Sequence, residues 1–285
     1  MSENMIIAVT NSKGGVGKTT TVLNLGAALY AASKKVLLID NDPQGNLTAA
    51  LGYTPAEQRR TLANLLLAAI DYPEDIAIHL QRAVLHTECG IDLIAANKRL
   101  ADAAARLQVM QLSQYNALGD VDRTSEKVMD TVLDQLEDHY DYIIIDCGLK
   151  HELLTVNALA AADYCIIPVQ SHFLASEGIP DVLDMVRAVQ QKFNPRLQIA
   201  GILLTMYPVA PAVLAVRVAR VARVAPGISA VPSTFLSTSA SRSRCSHRYR
   251  ATRVISVPRK LQRRSSTAFS SISIKISHIT CIRLR

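Results

Sequence analysis

Residues 13–20 read Lys-Gly-Gly-Val-Gly-Lys-Thr-Thr and lie between an apolar run, Met5–Thr10, and an amphipathic stretch, Thr19–Ala32. Glycines at this spacing let the backbone curl until successive N–H groups converge. The start of a helix adds its positive dipole, and the two together cradle phosphates. The Lys18 ammonium can neutralise the outer phosphates of a nucleotide, and the Thr19 hydroxyl can ligate Mg2+. The bland alternative is a glycine-rich turn followed by a chance Lys-Thr; the flanking strand and helix patterns count against it. A strict P-loop would carry Gly at position 12, where this chain has Ser12 followed by Lys13.

Two carboxylate positions accompany the loop. The apolar run Lys35–Asp40 opens into Asp40-Asn41-Asp42-Pro43-Gln44-Gly45-Asn46, and the run Tyr142–Asp146 closes on Asp146. An acid at the end of a strand beside a P-loop can orient an attacking water or hold Mg2+ through water. The structural alternatives are a tight turn built on Pro43 and Gly45, and an ordinary strand-end aspartate capping the next turn. Cys147, next to Asp146, has no placed base and reads as a small buried residue rather than a nucleophile. His79, His86, His139, His151 and His172 show no metal-ligand spacing.

The stretch Lys13–Thr19 resembles the deviant Walker A motif, KGGxGK[ST], of the ParA/MinD family of P-loop ATPases, in its ParA/Soj-type branch. The segment Asp40–Asn46 resembles that family's switch I, DxDPQGN, at every fixed position. Leu154–Leu159, Ala162–Tyr164, Ile167–Gln170 and Gly201–Met206 are similar to ParA sequences as well. The resemblance implies ATP and Mg2+ as cofactors, with Lys13, Gly14, Gly15, Val16, Gly17, Lys18, Thr19 and Thr20 on the nucleotide. It implies Thr19, Asp40 and Asp146 around the metal, and Lys13, Lys18, Asp40, Asp42 and Asp146 in catalysis. Lys13 would reach the nucleotide of a partner subunit, Asp40 would contact the attacking water, and Asp42 would couple nucleotide state to dimerisation. The chain departs from the family after Asp146, where Cys147-Gly148-Leu149-Lys150-His151-Glu152 replaces the usual turn containing Pro and Ser.

The elements that must position these residues follow from periodicity. Met5–Thr10, Lys35–Asp40, Ile91–Ala96, Tyr142–Asp146, Tyr164–Val169 and Ile199–Met206 are short, nearly all apolar and rich in β-branched residues, as strands buried on both faces are. Helical patterns lie between them at Leu62–Ile70, Thr124–Asp138, Glu152–Ala161 and Glu177–Phe193, with capping residues expected at Thr124–Lys127. Alternation of this kind predicts an α/β fold, a doubly wound and mainly parallel sheet with helices on its faces. Ligands then sit at the carboxyl ends of the strands, where all the singled-out residues fall.

The chain has 285 residues and is 49% apolar, with a mean hydropathy of +0.17, which excludes disorder throughout. No apolar run approaches the roughly 18 residues of a membrane span, and the first residues lack the layout of a signal peptide. Five cysteines without CxxC spacing argue against a disulfide framework and fit a reducing cytoplasm. The net charge of +7 conceals a split: residues 1–207 carry 16 basic and all 24 acidic residues, whereas residues 208–285 carry 15 basic residues, 14 serines and no acid. The expected organisation is therefore a ParA-like ATPase domain over 1–207, incomplete at its C-terminal end, and a basic Ser/Arg-rich tail over 208–285. Within the tail, Arg217, Arg220 and Arg223 suit a one-sided basic helix, and Ser271–Ile276 alternates like a strand. Three readings of the tail stand side by side: a DNA-binding arm, a segment lying on an anionic membrane, and a product of the wrong reading frame.

By the same resemblance, the function is ATP-dependent segregation of a plasmid or chromosome. It implies an ATP-dependent homodimer, non-specific DNA, a ParB-like partner bound to DNA, and a cytoplasmic, nucleoid-associated location. The alternatives are a MinD-like spatial regulator on a membrane and a nucleotide-binding remnant that does not cycle.

Overall fold

The computed structural model describes residues 4–116, 124–136, 139–149, 152–170, 179–206, 230–232, 250–252 and 281–283. Its strands are β1 (Met5–Val9), β2 (Val36–Asn41), β3 (Val84–His86), β4 (Asp92–Ile94), β5 (Tyr142–Cys147), β6 (Tyr164–Gln170), β7 (Gln198–Thr205) and β8 (Ala230–Pro232). They form one sheet in the order β3-β4-β2-β5-β1-β6-β7-β8, with every pairing parallel except β3 with β4. A separate antiparallel pair joins β9 (Arg250–Thr252) and β10 (Cys281–Arg283). The helices are α1 (Lys18–Ala31), α2 (Asn46–Ala50), α3 (Leu62–Asp71), α4 (Ile76–Ala83), α5 (Leu100–Asn116), α6 (Val128–Leu133), α7 (Glu152–Ala160) and α8 (Ile179–Lys192).

Alternation along the strands builds two cores. Ala8, Leu37, Ile39, Ile143 and Ile145 face a core shared with α3 and α5 to α8, while Ile7, Val9, Val36, Leu38 and Ile144 face one shared with α1. Both faces are apolar because both are covered, which explains why the strands read as continuous hydrophobic runs. Chain order turns around at β1, which sits between β5 and β6. In parallel sheets a crevice opens at such a point, outside the carboxyl ends of the strands.

The six expected strands and the helices α1, α3, α7 and α8 are all present, with ends shifted by one or two residues within the described residues. The helix expected from Thr124 starts instead at Val128, and Lys127 at its cap makes no side-chain cap bond. The capping comes from α7: Asn157 accepts the Met129 N–H at 3.0 Å through Oδ1 and donates to the Ser125 carbonyl at 2.7 Å through Nδ2. Three helices were not foreseen: the short α2, and α4 and α5. In α5 the buried stripe is Leu100, Ala103, Ala104 and Leu107, and in α4 it is Ile76, Leu80 and Ala83. Each has helical spacing, with alanines supplying part of the apolar face. The arginine helix and the Ser271–Ile276 strand expected in the tail lie outside the described residues, as do Lys150 and His151 of the turn after Asp146.

Candidate functional site

The strand ends bring the candidate residues together. Register pairs Asp40 with Asp146 across β2 and β5, and Val9 with Asp146 across β1 and β5, so the loop after β1 emerges beside both acids. Within that loop Gly15 has φ +70° and Gly17 φ +91°, backbone that an L side chain rarely adopts. Gly17 forms the N-cap of α1, whose first residue is Lys18.

Internal bonds close the loop. The Lys13 N–H donates to Asn11 Oδ1 at 2.9 Å, and Asn11 Nδ2 donates to the Pro168 carbonyl at 2.6 Å, tying the loop to β6. Lys18 Nζ donates to the carbonyls of Asn11 at 3.1 Å and Lys13 at 2.9 Å. An ammonium has three donors, so one more remains for a phosphate oxygen. Burial lowers the Lys18 pKa, and the nearby Asp146 and Asp42 carboxylates oppose the shift.

At the head of α1 the Thr19 hydroxyl donates to Asp146 Oδ2 at 2.6 Å. Asp146 is 2% exposed, and its Oδ1 has no hydrogen-bond partner among the described residues. A buried carboxylate oxygen left without a donor is costly unless a cation or water serves it. Burial pushes the Asp146 carboxyl up to about 7; the Thr19 hydroxyl opposes the shift and the Asp40 carboxylate adds to it. A threonine hydroxyl and a carboxylate meeting beside a phosphate cradle are hard oxygen donors, the set Mg2+ takes when phosphates and waters complete its shell. Thr19 and Asp146 fit such an ion. Thr20, the last residue of the motif, is exposed on α1.

Asp40 is placed differently. It lies beside Asp146 but is 0% exposed, and its Oδ2 accepts the Thr48 N–H at 2.8 Å and the Thr48 hydroxyl at 2.7 Å. Its Oδ1 accepts the Asp42 N–H at 3.2 Å. Burial pushes its carboxyl up to about 6 against these bonds. Asp40 thus fastens the turn that carries Asp42, while the half-buried Asp42 is the acid of the pair with access to the crevice. Thr48 was not singled out from the sequence; it lies eight residues on, and only the turn into α2 brings it back.

The unusual turn after Asp146 packs against that segment. The Gly148 N–H donates to the Asn41 carbonyl at 3.2 Å, and a Cβ at position 148 would lie 3.1 Å from Asp42 Cγ. Glycine eases this close approach, since a Cβ would also lie 3.2 Å from the Asn41 carbonyl oxygen. Leu149, 44% exposed, reaches over the loop, with its Cδ1 3.3 Å from where a Gly14 Cβ would be. Cys147 is buried, and burial pushes its thiol pKa far up, which rules out a ready thiolate.

The sequence matches the AAA domain family over residues 4–199. It is 42% identical over 201 residues to the sporulation initiation inhibitor protein Soj of Bacillus subtilis, covering 70% of this chain and 72% of that protein. Against the chromosome partitioning protein ParA of Caulobacter vibrioides it is 37% identical over 204 residues, 71% of this chain and 69% of the other. Among solved structures it is similar to cobyrinic acid a,c-diamide synthase from Mycobacterium smegmatis with bound ADP and magnesium. That likeness has a TM-score of 0.67 and 34% identity, over 79% of this chain and 83% of the other.

Proposed function

The chain belongs to the ParA/Soj family of P-loop ATPases, and from that premise we propose that it is a DNA-partitioning ATPase. Two copies close on ATP, hold DNA non-specifically while closed, and separate when a ParB-like partner on DNA stimulates hydrolysis. ATP and Mg2+ are the cofactors. The observation that carries the reading is Lys13, whose N–H and carbonyl are both pinned within the loop by Asn11 and Lys18. Its side chain therefore leaves from a fixed point at the mouth of the phosphate cradle, as a lysine serving a neighbouring subunit's nucleotide requires.

Within one copy, the amides of the loop from Gly14 to Thr19 bind the phosphates, and Lys18 brings its remaining donor to their outer oxygens. Thr19 and Asp146 would hold Mg2+, which would supply neutralisation of the phosphate charge. Asp42 orients the attacking water, and Asp40 acts through the Asp42 amide. Because Gly148 bonds the backbone beside Asp42, the segments after β2 and β5 respond together to the outer phosphate. Residues 1–207 supply the ATPase body and residues 208–285 are a basic tail from which β8 joins the sheet beside β7, with the protein gathered on the nucleoid.

The test is steady-state ATP hydrolysis by the full chain with Mg2+, with and without non-specific duplex DNA. Slow, Lys18-dependent hydrolysis together with ATP-dependent DNA binding supports the proposal. Nucleotide binding with no hydrolysis would make the chain a non-cycling binder. ATP-dependent sedimentation with anionic vesicles and not with DNA would make it a membrane regulator.

A further inference from the structure

The loop's phosphate-binding amides are fixed from a side that the phosphate never touches. Gln170, the last residue of β6, donates from Nε2 to the Gly15 carbonyl at 2.9 Å. Thr205, the last residue of β7, is 0% exposed and donates from its hydroxyl to the Val16 carbonyl at 2.8 Å. The Gly17 carbonyl is taken by the first turn of α1, accepting the Thr21 N–H at 2.9 Å and the Thr21 hydroxyl at 2.7 Å. Three successive carbonyls are thereby tied off.

A trans peptide unit is planar, with its C=O and N–H pointing to opposite sides. Tying the Gly15, Val16 and Gly17 carbonyls therefore sets the direction of the Val16, Gly17 and Lys18 N–H groups. The first two of these carbonyls are outside any helix ladder, and without a partner either peptide could rotate and turn its oxygen, rather than its N–H, toward an anion. The Thr205 methyl also packs at 3.6 Å from where a Gly17 Cβ would lie. That is ordinary packing distance, and the left-handed backbone of Gly17, φ +91°, is what favours glycine there.

We propose that Gln170 and Thr205 are positioning residues for nucleotide binding: by holding the Gly15 and Val16 carbonyls outward, they keep the phosphate cradle formed before the nucleotide arrives. Neither contacts the phosphates. They make the carboxyl ends of β6 and β7 part of the binding site, so order there and nucleotide affinity are linked. The inference rests on the P-loop taking a nucleotide, and the controls below separate the two claims.

The test uses the full chain as wild type, Thr205→Val, Thr205→Ser and Gln170→Met, with MgADP affinity by calorimetry and melting with and without MgADP. Thr205→Val keeps the shape and removes the donor; it should weaken MgADP about tenfold, the scale of one net hydrogen bond. Thr205→Ser should restore the affinity. The nucleotide-dependent rise in melting temperature should shrink more than the nucleotide-free melting temperature falls, and KM for ATP should rise with kcat nearly unchanged. If Thr205→Val fails to fold, Gln170→Met, at a partly exposed position, carries the same expectation. Wild-type binding with unchanged affinity in Thr205→Val and Gln170→Met overturns the positioning role alone. A wild type that does not bind MgADP overturns the nucleotide reading and this inference with it.

Discussion

Asp146 and Asp40 show how burial tunes two neighbouring acids for different work. Both carboxyls are raised, to about 7 and about 6, chiefly by desolvation. A carboxyl whose folded pKa lies above its unfolded value of about 4 favours folding in its protonated form. That contribution is complete below pH ~4 and is lost as pH rises through the folded pKa near 7. Asp146→Asn, which keeps an acceptor for Thr19 and carries no charge, should therefore gain stability over wild type at pH 8, on the order of a few kcal/mol, and little at pH 4. Thermal melts of both proteins across that range, without nucleotide, check the sign. The same variant should lose the Mg2+ dependence of nucleotide binding, because it removes the carboxylate that would hold the ion. Sequence alone placed Asp40, Asp42 and Asp146 in this neighbourhood, since each follows an apolar strand. The resemblance gave the attacking water to Asp40 and coupling to dimerisation to Asp42, whereas the buried, braced Asp40 and the half-buried Asp42 support the reverse assignment of the water proposed above. That distinction is made by Thr48, whose hydroxyl donates to Asp40 and also accepts the Ala96 N–H at 3.0 Å. Such a bond between distant segments has no local signature.

At the scale of elements, the turn after β5 and the N-terminus of α6 make separable predictions. Gly148→Val would drive a side chain into Asp42; ATP hydrolysis should fall at least tenfold while MgADP affinity stays within about threefold of wild type. Asn157→Ala would strip the N-terminus of α6 of its borrowed cap and leave buried backbone groups unpaired. It should cost about 1–3 kcal/mol in denaturant unfolding with nucleotide affinity unchanged. The strands were legible because they are short, nearly continuous apolar runs, and the helices α1, α3, α7 and α8 from the apolar patterns lying between those runs. Helix α5 was not, although Leu100, Ala103, Ala104 and Leu107 have ideal spacing, because small residues suffice where a helix lies close to its neighbours. The cap of α6 was misread for a different reason. Thr124–Lys127 has capping residues in the right order, but the structure uses Asn157 from another helix, and a sequence window sees only its own residues.

The whole molecule joins an acidic body, 16 basic against 24 acidic residues over 1–207, to 78 residues with 15 basic groups and no acid. A body of that charge repels DNA at long range, so attraction falls to the basic residues of 208–285, and duplex binding through their phosphate contacts should weaken steeply with salt. About six phosphate contacts would cost roughly a thousandfold in affinity between 50 and 200 mM salt. Replacing Arg217, Arg220 and Arg223 by Gln should lower the slope of log affinity against log salt by up to about three if they touch phosphates. An unchanged slope would assign DNA binding to the body instead. The central claim is that ATP joins two copies through the loop that holds it. The most direct measurement is the solution mass of the full chain by light scattering, with a slowly hydrolysed ATP analogue and Mg2+ and again with ADP. Twice the monomer mass of 31.0 kDa is expected with the analogue and the monomer mass with ADP, and a Lys13→Ala variant should bind the analogue yet stay monomeric. A mass that is the same with both nucleotides, in a wild type shown to bind them, would contradict that claim.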